Sequence, residues 1–418
     1  MLVAYRILSF LYFKAIRLAA FFLPDAKAFV EGRKNWELGF TNFNARYPLH
    51  ERPRLWVHAA SLGELEQGRE LIEKIRSEFP DYLLILSFFS PSGYQKRKDY
   101  DQVDYVCYFP SDIGADVNNF LDLLNPQLVI FIKYEFWFTT LSQLHKRNIP
   151  YFFIAAIFRK NHYLLRPFFR SLLRKVMQAK HVFLQDEQSK AYLLSKGYMH
   201  STVVGDTRLD RVFRMAHEPY ADELVSTFCA NAPIFIGGSV WPEDVRLLKP
   251  SLKNLLERSW KLILVPHKIR KKDLEIIERT FENCTERYSQ FENLETTRVL
   301  ILDQVGQLAR IYKYATLAYV GGGFGKGIHN ILEPASFGIP VCFGPNYHKF
   351  PEAKELLERG LAFTLDYPPE LIGITTQIQG RSALLKEKIL TYIAENLGAS
   401  DQIFIHLQAD LKHWQKHT

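Results

Sequence analysis

The segment WVHAASLGELEQG, residues 56–68, joins an apolar strand to a helix through a turn that carries polar side chains. Ser61 and Glu64 have the S-x-x-E spacing of a capping box, in which both side chains only satisfy amide groups at a helix start. A carboxylate at the end of a strand can also act as a general base, because it can take a proton from a bound hydroxyl group. These residues alone favour the capping box over the base.

Polar side chains follow several other predicted strands in the N-terminal half of the chain. Ligands of parallel α/β sheets bind beyond the carboxyl ends of the strands, so polar groups there are candidates for a site. Helix-capping residues would also make these loops polar, and no single loop identifies a site. The strand-end groups are His58, Ser61 and Glu64, then residues 90–93, residues 110–112, Glu135, and finally Asp206, Thr207 and Arg208.

A glycine-rich segment in the C-terminal half, YVGGGFGKGIHNILEPASFGIPVCFGP at residues 319–345, predicts a pocket for a phosphorylated ligand. Glycines let backbone amides approach an anion closely, and the helix predicted to start near Ile331 adds positive potential. The segment is neither a Walker A motif nor a dinucleotide fingerprint. Glu333 can accept hydrogen bonds from ribose hydroxyls, or it can simply stabilise the helix dipole. The strand ends at residues 237–239, 265–268 and 303–306 also indicate a nucleotide pocket.

Apolar strand-like runs alternate with helical segments along the whole chain, which predicts parallel sheets covered by helices on both faces. The pattern restarts after Glu218, so we expect an α/β fold with two doubly wound domains facing across a cleft. The predicted parts are a membrane-interface helix (1–24), an N-terminal domain (25–210), a linker (211–223), a C-terminal domain (224–398) and a C-terminal helix (399–418) that packs back towards the N-terminal domain. The predicted strands are 54–60, 82–89, 103–109, 128–133, 150–157, 181–185, 201–204, 233–238, 260–266, 298–302, 316–321, 339–343 and 361–365.

The 418-residue chain has a formal net charge of +8, and the charge is unevenly distributed. Residues 136–185 contain nine Lys or Arg and neither Asp nor Glu. Such a face suits anionic lipid or a phosphorylated substrate. Nucleic acid is not expected as a partner, because no helix-turn-helix, RNP or KH pattern accompanies the charge. Four scattered cysteines without C-x-x-C spacing argue against zinc and disulfides and fit a reducing cytosol.

Residues 1–24 are strongly apolar but contain Arg6, Lys14 and Arg17, so no uncharged run approaches the roughly 20 residues that span a bilayer. The charges also count against a signal peptide. We predict a helix that lies in the membrane interface, and a buried first helix with snorkelling cations is the alternative. Residues 163–178 interleave apolar and basic groups in the same way. The basic residues of this region are Arg159, Lys160, Arg166, Arg170, Arg174 and Lys175, and Pro167 would fall near the first turn of the helix.

The order and spacing of many short motifs resemble those of the bacterial Kdo (3-deoxy-D-manno-octulosonic acid) transferases, which are inverting glycosyltransferases of GT-B architecture. The resemblance covers nearly the whole chain and is carried by HAASLGE, FSPSGYQK, FPSD, YEFW, GDTRLD, VPHK, GGGFGKGIHNILEPASFGIPV and FGPNYHKF. It implies a monomeric enzyme on the cytoplasmic side of the inner membrane. The donor would be CMP-Kdo and the acceptor a lipid A precursor. Neither a metal nor another cofactor is implied.

The resemblance also implies roles for particular residues, and it makes the base the favoured role of Glu64. Glu135 and Arg208 would stabilise charge near the reacting carbon. The CMP-sugar site, taken from the resemblance together with the glycine-rich segment, comprises Pro266, His267, Lys268, Val305, Gly306, Gln307, Gly322, Gly323, Asn330, Ile331, Leu332 and Glu333.

Three segments and one single residue depart from the family pattern. Residues 133–138 read Lys-Tyr-Glu-Phe-Trp-Phe where the family has Glu-Thr-Glu-Leu-Trp-Pro, and residues 266–268 read Pro-His-Lys for Pro-Arg-His. Residues 305–307 read Val-Gly-Gln for Met-Gly-Glu, and Arg208 replaces a lysine. These changes affect donor contacts more than the class of reaction. The alternatives are another nucleotide-sugar transferase, a nucleotide-sugar epimerase, or an inactive nucleotide-binding protein attached to the membrane.

Overall fold

The computed structural model describes residues 2–133, 135–159, 164, 166, 169–293 and 295–415. The chain forms two compact units. Unit 1 comprises Met1–Asp210 and Gly398–Thr418, and unit 2 comprises Arg211–Leu397. Among the described residues, the predicted linker at 211–223 includes the end of a helix, Thr207–His217, that begins in unit 1.

Unit 1 is built on a parallel sheet in which seven described strands lie in the order β3-β2-β1-β4-β5-β6-β7. Both faces of the sheet are covered, which is why these strands are continuously apolar. In β1, Trp56 packs into the core on one face, while Leu55 and Val57 pack into the core on the other. The strands are β1 (Arg54–Ala59), β2 (Leu83–Phe88), β3 (Tyr105–Tyr108), β4 (Leu128–Ile132), β5 (Tyr151–Ala156), β6 (His181–Leu184) and β7 (Ser201–Val203).

Helices flank this sheet, and the last helix of the chain returns to it. The helices are α1 (Leu2–Ala19), α2 (Pro24–Glu31), α3 (Trp36–Arg46), α4 (Leu62–Glu78), α5 (Pro91–Arg97), α6 (Gly114–Leu124), α7 (Phe138–Lys146), α8 (Arg170–Val176), α9 (Glu187–Leu194) and α10 (Thr207–His217). The C-terminal helix of the chain, Ala399–Gln415, packs against α4. It buries Ile403, Phe404, Leu407 and Leu411 in the core below the sheet.

Unit 2 contains a second parallel sheet, with seven described strands in the order β10-β11-β9-β8-β12-β13-β14. Its strands are β8 (Ile234–Val240), β9 (Lys261–Pro266), β10 (Thr285–Arg287), β11 (Val299–Ile301), β12 (Leu317–Val320), β13 (Val341–Phe343) and β14 (Ala362–Thr364). The helices are α11 (Glu223–Cys229), α12 (Pro242–Glu257), α13 (Lys271–Thr280), α14 (Leu308–Ile311), α15 (Leu332–Ala335), α16 (Pro351–Glu358), α17 (Glu370–Ile378) and α18 (Ser382–Glu395), so the C-terminal helix is α19.

The predicted α/β class with two doubly wound parallel sheets is confirmed, and each of the thirteen predicted runs overlaps a strand. The structure adds β10, which the sequence analysis missed. Its residues, Thr-Glu-Arg, are polar and half-buried at the edge of the sheet, so they produce no apolar run. An edge strand needs only one paired neighbour, and charged side chains there discourage pairing with other chains.

Helix α1 buries only a narrow stripe. Tyr5, Ser9 and Phe13, spaced four residues apart, face the body of unit 1, and the Tyr5 hydroxyl donates to Asp112 at 2.6 Å. The large apolar side chains on the rest of the helix and in the following turn are exposed, among them Phe21 at 82% and Phe22 at 81%. Within the described residues, no single helix has the length and apolar character of a membrane span. The pair Ala4–Ala19 and Pro24–Glu31, bent by 117°, meets those criteria only when taken together.

Candidate functional site

Glu135 lies in the loop after β4 and is held by two donors from different elements. Trp137 Nε1 donates to Glu135 Oε2 at 2.6 Å, and His58 Nε2, at the end of β1, lies 3.0 Å from the same oxygen. His58 is fully buried, and its Nδ1 lies 2.8 Å from Ser87 Oγ. Ser87 Oγ accepts from Trp56 Nε1 at 2.8 Å, so its own hydrogen can go to Nδ1. This series of hydrogen bonds places a hydrogen on His58 Nε2, which therefore donates to Glu135.

Glu64 lies in the first turn of α4 and is half-buried, at the same edge of the sheet as Glu135. Ser61 precedes the helix, but its side chain accepts no hydrogen bond from the helix amides, so the capping box does not form completely. One buried carboxylate oxygen of Glu64 has no hydrogen-bond partner among the described residues. Burial, and secondly the negative charge of Glu135, raise the pKa of Glu64 to about 7, while Lys133 and two backbone hydrogen bonds oppose the rise.

A carboxyl group with this pKa exchanges its proton near neutral pH, which is the property of an efficient general base. Its buried oxygen keeps a hydrogen-bonding capacity that no described residue uses. The Glu135 carboxylate, already fixed by Trp137 and His58, is suited to hold charge in place rather than to move a proton. The two carboxylates therefore have different surroundings and are suited to different tasks.

Arg208 lies at the start of α10 and forms a close pair with the Asp206 carboxylate. Its Nε donates to both carboxylate oxygens of Asp206, at 3.0 and 2.9 Å. Next to it, Thr207 Oγ1 donates to the backbone oxygen of Gln67 in α4 at 2.5 Å. This bond ties the start of α10 to the helix that carries Glu64. The charge of Arg208 is thus partly neutralised by Asp206 in this structure.

Asp112, another strand-end residue, is part of the scaffold. Its buried carboxylate accepts from the backbone amides of Thr139 and Thr140 at 2.9 Å each, at the start of α7. It also accepts from Tyr5 of α1, so one carboxylate joins two helices. The satisfied amides at a helix N-terminus explain why a buried acid is stable there.

In unit 2, three aromatic rings stack beside the glycine-rich segment. Trp241 and His267 have ring centroids 4.3 Å apart, and His267 and His329 are 4.6 Å apart. Trp241 Nε1 donates to His329 Nε2 at 3.2 Å. Burial, and secondly the neighbouring His267, lower the pKa of His329 to about 4, so His329 is neutral at physiological pH. The half-buried stack presents a flat surface at the ends of β8 and β9.

The glycines of residues 321–323 are required by close backbone packing. A Cβ on Gly321 would lie 2.3 Å from the Ser239 carbonyl oxygen, and one on Gly323 would lie 2.5 Å from the Gly344 nitrogen. Gly322 has φ of +93°, and its amide donates to the buried carboxylate of Asp244 at 3.0 Å. The Gly322 amide is therefore already hydrogen-bonded within the protein in this structure. The glycines of this segment are explained first by close backbone packing.

The other residues of the predicted CMP-sugar site differ in what they expose. Ile331 and Leu332 are buried, so only their backbone can face a ligand, whereas Val305 is 91% exposed. Asn330 Nδ2 donates to Glu333 Oε1 at 3.2 Å, and Asn330 Oδ1 accepts from the Leu332 amide at 3.1 Å. The remaining predicted contacts lie in the same unit. Pro266 is buried, His267 is in the ring stack, Lys268 is exposed, and Gly306 and Gln307 precede α14.

The structure brings Glu64 and Glu135 close enough for their charges to interact, and it ties the start of α10, which carries Arg208, to α4. Sequence reasoning missed Trp137, Trp241 and Asp244. The tryptophans lie four and three residues after the predicted strand ends at 133 and 238, which is a signal that a search restricted to titratable residues overlooks. In the described part of the chain, no three His, Cys, Asp or Glu side chains come together as metal ligands.

The two doubly wound parallel sheets have GT-B-like architecture, and one of them carries a carboxylate pair at its strand-end edge. Residues 35–211 match the family described as 3-Deoxy-D-manno-octulosonic-acid transferase (kdotransferase). A 3-deoxy-D-manno-octulosonic acid transferase from Aquifex aeolicus is 28% identical over 332 residues, which cover 78% of this chain and 85% of that protein. One from Haemophilus influenzae is 25% identical over 313 residues, covering 72% and 73%. These matches make the chain similar to the bacterial Kdo transferases.

Among solved structures, UDP-GlcNAc 2-epimerase from Neisseria meningitidis, bound to UDP-GlcNAc, superposes with a TM-score of 0.61 at 14% sequence identity. The match covers 84% of this chain and 98% of the epimerase. At this identity the likeness shows the fold alone. The enzyme class follows from the family matches, which indicate a glycosyltransferase.

Proposed function

We propose that this enzyme transfers Kdo from CMP-Kdo to a lipid A precursor, with inversion at the transferred carbon. Glu64 takes the proton from the acceptor hydroxyl as the new bond forms, and CMP leaves as a phosphomonoester. The observation that carries this role is the half-buried Glu64 carboxyl, which has one unpartnered oxygen, beside the fixed carboxylate of Glu135. Glu135 and Arg208 position and stabilise charge around the reacting carbon.

The donor binds unit 2, where the ring stack, the glycine-rich segment and Glu333 surround the ends of the strands. The flat surface of Trp241, His267 and His329 suits a pyrimidine ring or a sugar face. Lys268 is exposed beside it and suits a phosphate. The reaction needs neither a metal nor another cofactor, because backbone amides, the helix start near Ile331 and nearby cations can hold the charge that CMP gains as it leaves. We expect chelators to leave transfer unchanged.

The enzyme acts as a monomer on the cytoplasmic face of the inner membrane. The exposed apolar surface of α1 supports this location, since it would rest among lipid headgroups and acyl chains. The basic residues Arg166, Arg170 and Arg174 are exposed in the same unit and add attraction to anionic lipid.

One experiment tests the transferase against its rivals. The purified enzyme is incubated with tetraacyl lipid A precursor and CMP-Kdo, and the lipid product is weighed by mass spectrometry. We expect addition of Kdo, and no reaction when a UDP- or GDP-sugar replaces CMP-Kdo. Transfer from a UDP- or GDP-sugar, or epimerisation of the free nucleotide sugar, would support the rivals instead.

Glu64→Gln is the decisive variant, because the amide has nearly the same shape and cannot accept a proton from the acceptor. We expect transfer to fall by at least about a hundredfold, with folding and CMP affinity close to wild type. Glu66→Gln is the matched control on the same helix, where Glu66 pairs with Arg69 and Arg97 at the surface. Wild-type rates in Glu64→Gln would assign Glu64 a purely structural role.

A further inference from the structure

Arg33 is a half-buried cation that the protein surrounds with neutral groups. Its guanidinium donates to the backbone oxygens of Phe109 at 2.9 Å and Phe29 at 3.1 Å, and to that of Phe89 at 2.5 Å. Its central carbon lies 3.5 Å from the ring centroid of Phe29. Within the described residues no carboxylate pairs with it, and these bonds use three of the five N–H groups of an arginine.

Burial is the main effect on this cation and lowers the pKa of Arg33 to about 9, although nearby Tyr108 raises it slightly. Arg33 is therefore still charged at neutral pH. Gly32 precedes it because a Cβ there would lie 2.2 Å from the Tyr108 ring. The segment between α2 and α3 thus packs closely against Tyr108 of β3, and this packing places the Arg33 side chain in a partly buried position. A charge buried without a counter-ion is costly unless a ligand supplies one.

A cavity of about 450 Å³ opens beside Arg33. Two more cations, Arg17 of α1 and Lys34, line it, and Phe13 and Trp36 contribute apolar walls. Both added cations are exposed, and neither forms an ion pair in the part of the chain that the structure describes.

Two acids also line this cavity and bear on its charge. Asp116 already accepts a hydrogen bond from Ser111 Oγ, and Glu37 is exposed at the start of α3. Three cations against two carboxylates leave the lining with a net positive charge.

The cavity lies at the same edge of the sheet as the carboxylate pair. Phe89 and Phe109, whose backbone oxygens accept from Arg33, directly follow β2 and β3. The amide of Phe89 donates to the oxygen of Ala59, at the end of β1, at 3.3 Å. The Phe89 ring lies 4.8 Å from the ring of Trp137, which donates to Glu135. Phe89 therefore links Arg33, which lines the cavity, to Trp137 of the candidate site.

We propose that this cavity, lined by Arg17, Arg33 and Lys34, binds a phosphate group of the lipid acceptor, an inference that rests on the proposed function. A guanidinium fork with unused N–H groups is suited to phosphate oxygens, and two flanking cations balance the remaining charge. The exposed apolar surface of α1, which carries Arg17, would lie against the acyl chains of the same molecule. The phosphate would thereby fix the distance between the chains and the hydroxyl presented to Glu64.

Two variants at the rim test this site, because replacing Arg33 itself removes three bonds that hold the fold together. Arg17→Gln and Lys34→Gln each remove one cation from the lining. Lys27→Gln is the control, because Lys27 lies on α2, is exposed, and does not line the cavity. Initial rates are measured in neutral detergent micelles with a phosphorylated lipid A precursor and with its dephosphorylated form.

We expect each rim variant to raise KM for the phosphorylated acceptor about three- to tenfold, the effect of one partly exposed charged hydrogen bond, with kcat retained. KM for the dephosphorylated acceptor should stay within about twofold of wild type, as should both values for Lys27→Gln. Equal effects on the two acceptors would overturn the proposal. If rates are insensitive but the rim variants bind phosphatidylglycerol vesicles less well than Lys27→Gln does, the site serves a membrane phospholipid and the acceptor assignment is wrong.

Failure of the proposed function would look different, since wild type would then transfer nothing to either acceptor. In that case equilibrium binding of the phosphorylated lipid in the same micelles tests the cavity. Weaker binding by Arg17→Gln and Lys34→Gln, with Lys27→Gln unchanged, would support it. Identical binding by all four proteins would refute it.

Discussion

At the scale of single residues, burial and the charge of Glu135 together set the pH range in which Glu64 can act as a base. A base must be ionised to accept a proton, and burial together with Glu135 raises the pKa of Glu64 to about 7. We therefore expect kcat/KM to rise with pH until about 7 and then to level. Glu135→Gln removes the negative charge, so the rise in its residual activity should move to lower pH. A pH–rate profile measures both, and a rise that stays in place would contradict the coupling.

The same pKa has a consequence for stability. A carboxyl group whose pKa is raised by folding holds its proton more tightly in the folded chain than in the unfolded one. The protonated Glu64 carboxyl therefore stabilises the folded state fully below about pH 4.5, and this stabilisation is lost as the pH rises to about 7. Compared with Glu64→Gln, wild type should lose up to about 3 kcal/mol across that interval. Urea unfolding of both proteins at pH 4.5 and 8 tests this, and a pH-independent difference would argue against a buried, ionisable Glu64.

Glu333 is the residue in unit 2 whose substitution best tests donor binding. It accepts from Asn330, and its charge favours the ionised form of Arg211, whose pKa burial lowers to about 10. Glu333→Ala should weaken CMP binding by about 1.5–3 kcal/mol for each charged hydrogen bond to ribose. Calorimetry with CMP measures the loss. The control is Glu358→Ala, at the exposed end of α16, and equal affinity in both variants would remove Glu333 from the site.

The sequence could predict the acids of this site more easily than their partners. Glu64 and Glu135 follow apolar runs, so their place at a strand-end edge can be inferred from periodicity and from the resemblance. The ring of Trp137 over Phe89 and the carbonyl oxygens around Arg33 depend on residues far apart in the chain. Ser61 shows the opposite failure: its local pattern predicts a cap, yet the side chain accepts no hydrogen bond from the helix.

At the scale of helices and strands, the apolar pattern was a better guide than local polar motifs. Buried parallel strands must be apolar at every position, which makes runs such as residues 82–89 easy to recognise. Strand β10 was missed because it lies at the edge of the sheet and pairs with only one strand. Its side chains are therefore polar and half-buried, and they form no apolar run. The C-terminal helix was expected to pack back towards the N-terminal domain, and α19 packs against α4 of unit 1.

Helix α19 should contribute strongly to the stability of unit 1. Leu407 is fully buried in the core that α19 shares with α4, whereas Ile405, two residues away, is 66% exposed. Leu407→Ala should destabilise unit 1 by about 2–5 kcal/mol through the lost contacts and the cavity left behind. Ile405→Ala should change stability by no more than about 0.5 kcal/mol. Urea unfolding of the two variants compares them directly, and similar values would mean that α19 is only loosely attached.

For the molecule as a whole, the distribution of apolar surface is uneven. The large exposed apolar side chains are concentrated between Ile7 and Leu23 in the described residues of unit 1. Arg6, Lys14 and Arg17 are exposed among them. Of the second basic segment, Arg166, Arg170 and Arg174 are also exposed, while Lys160 and Pro167 lie outside the described residues. An apolar helix face bordered by cations is the pattern of a helix lying in a membrane interface.

Liposome flotation tests this membrane interaction and separates its two contributions. Wild type should float with anionic vesicles at low salt, because each cation near the surface adds about 1 kcal/mol and the apolar face of α1 adds its burial. Reversing the charges of Arg166, Arg170 and Arg174 to Glu should weaken flotation and reduce its dependence on salt. The matched control reverses Lys271, Lys272 and Arg279, which are exposed on α13 of unit 2.

Leu8→Asp with Leu11→Asp should abolish flotation at any salt concentration, since both side chains are exposed on α1. If wild type stays in the soluble fraction, or if the control weakens flotation as much as the reversal in unit 1, the apolar helix and its cations do not form the membrane-binding surface.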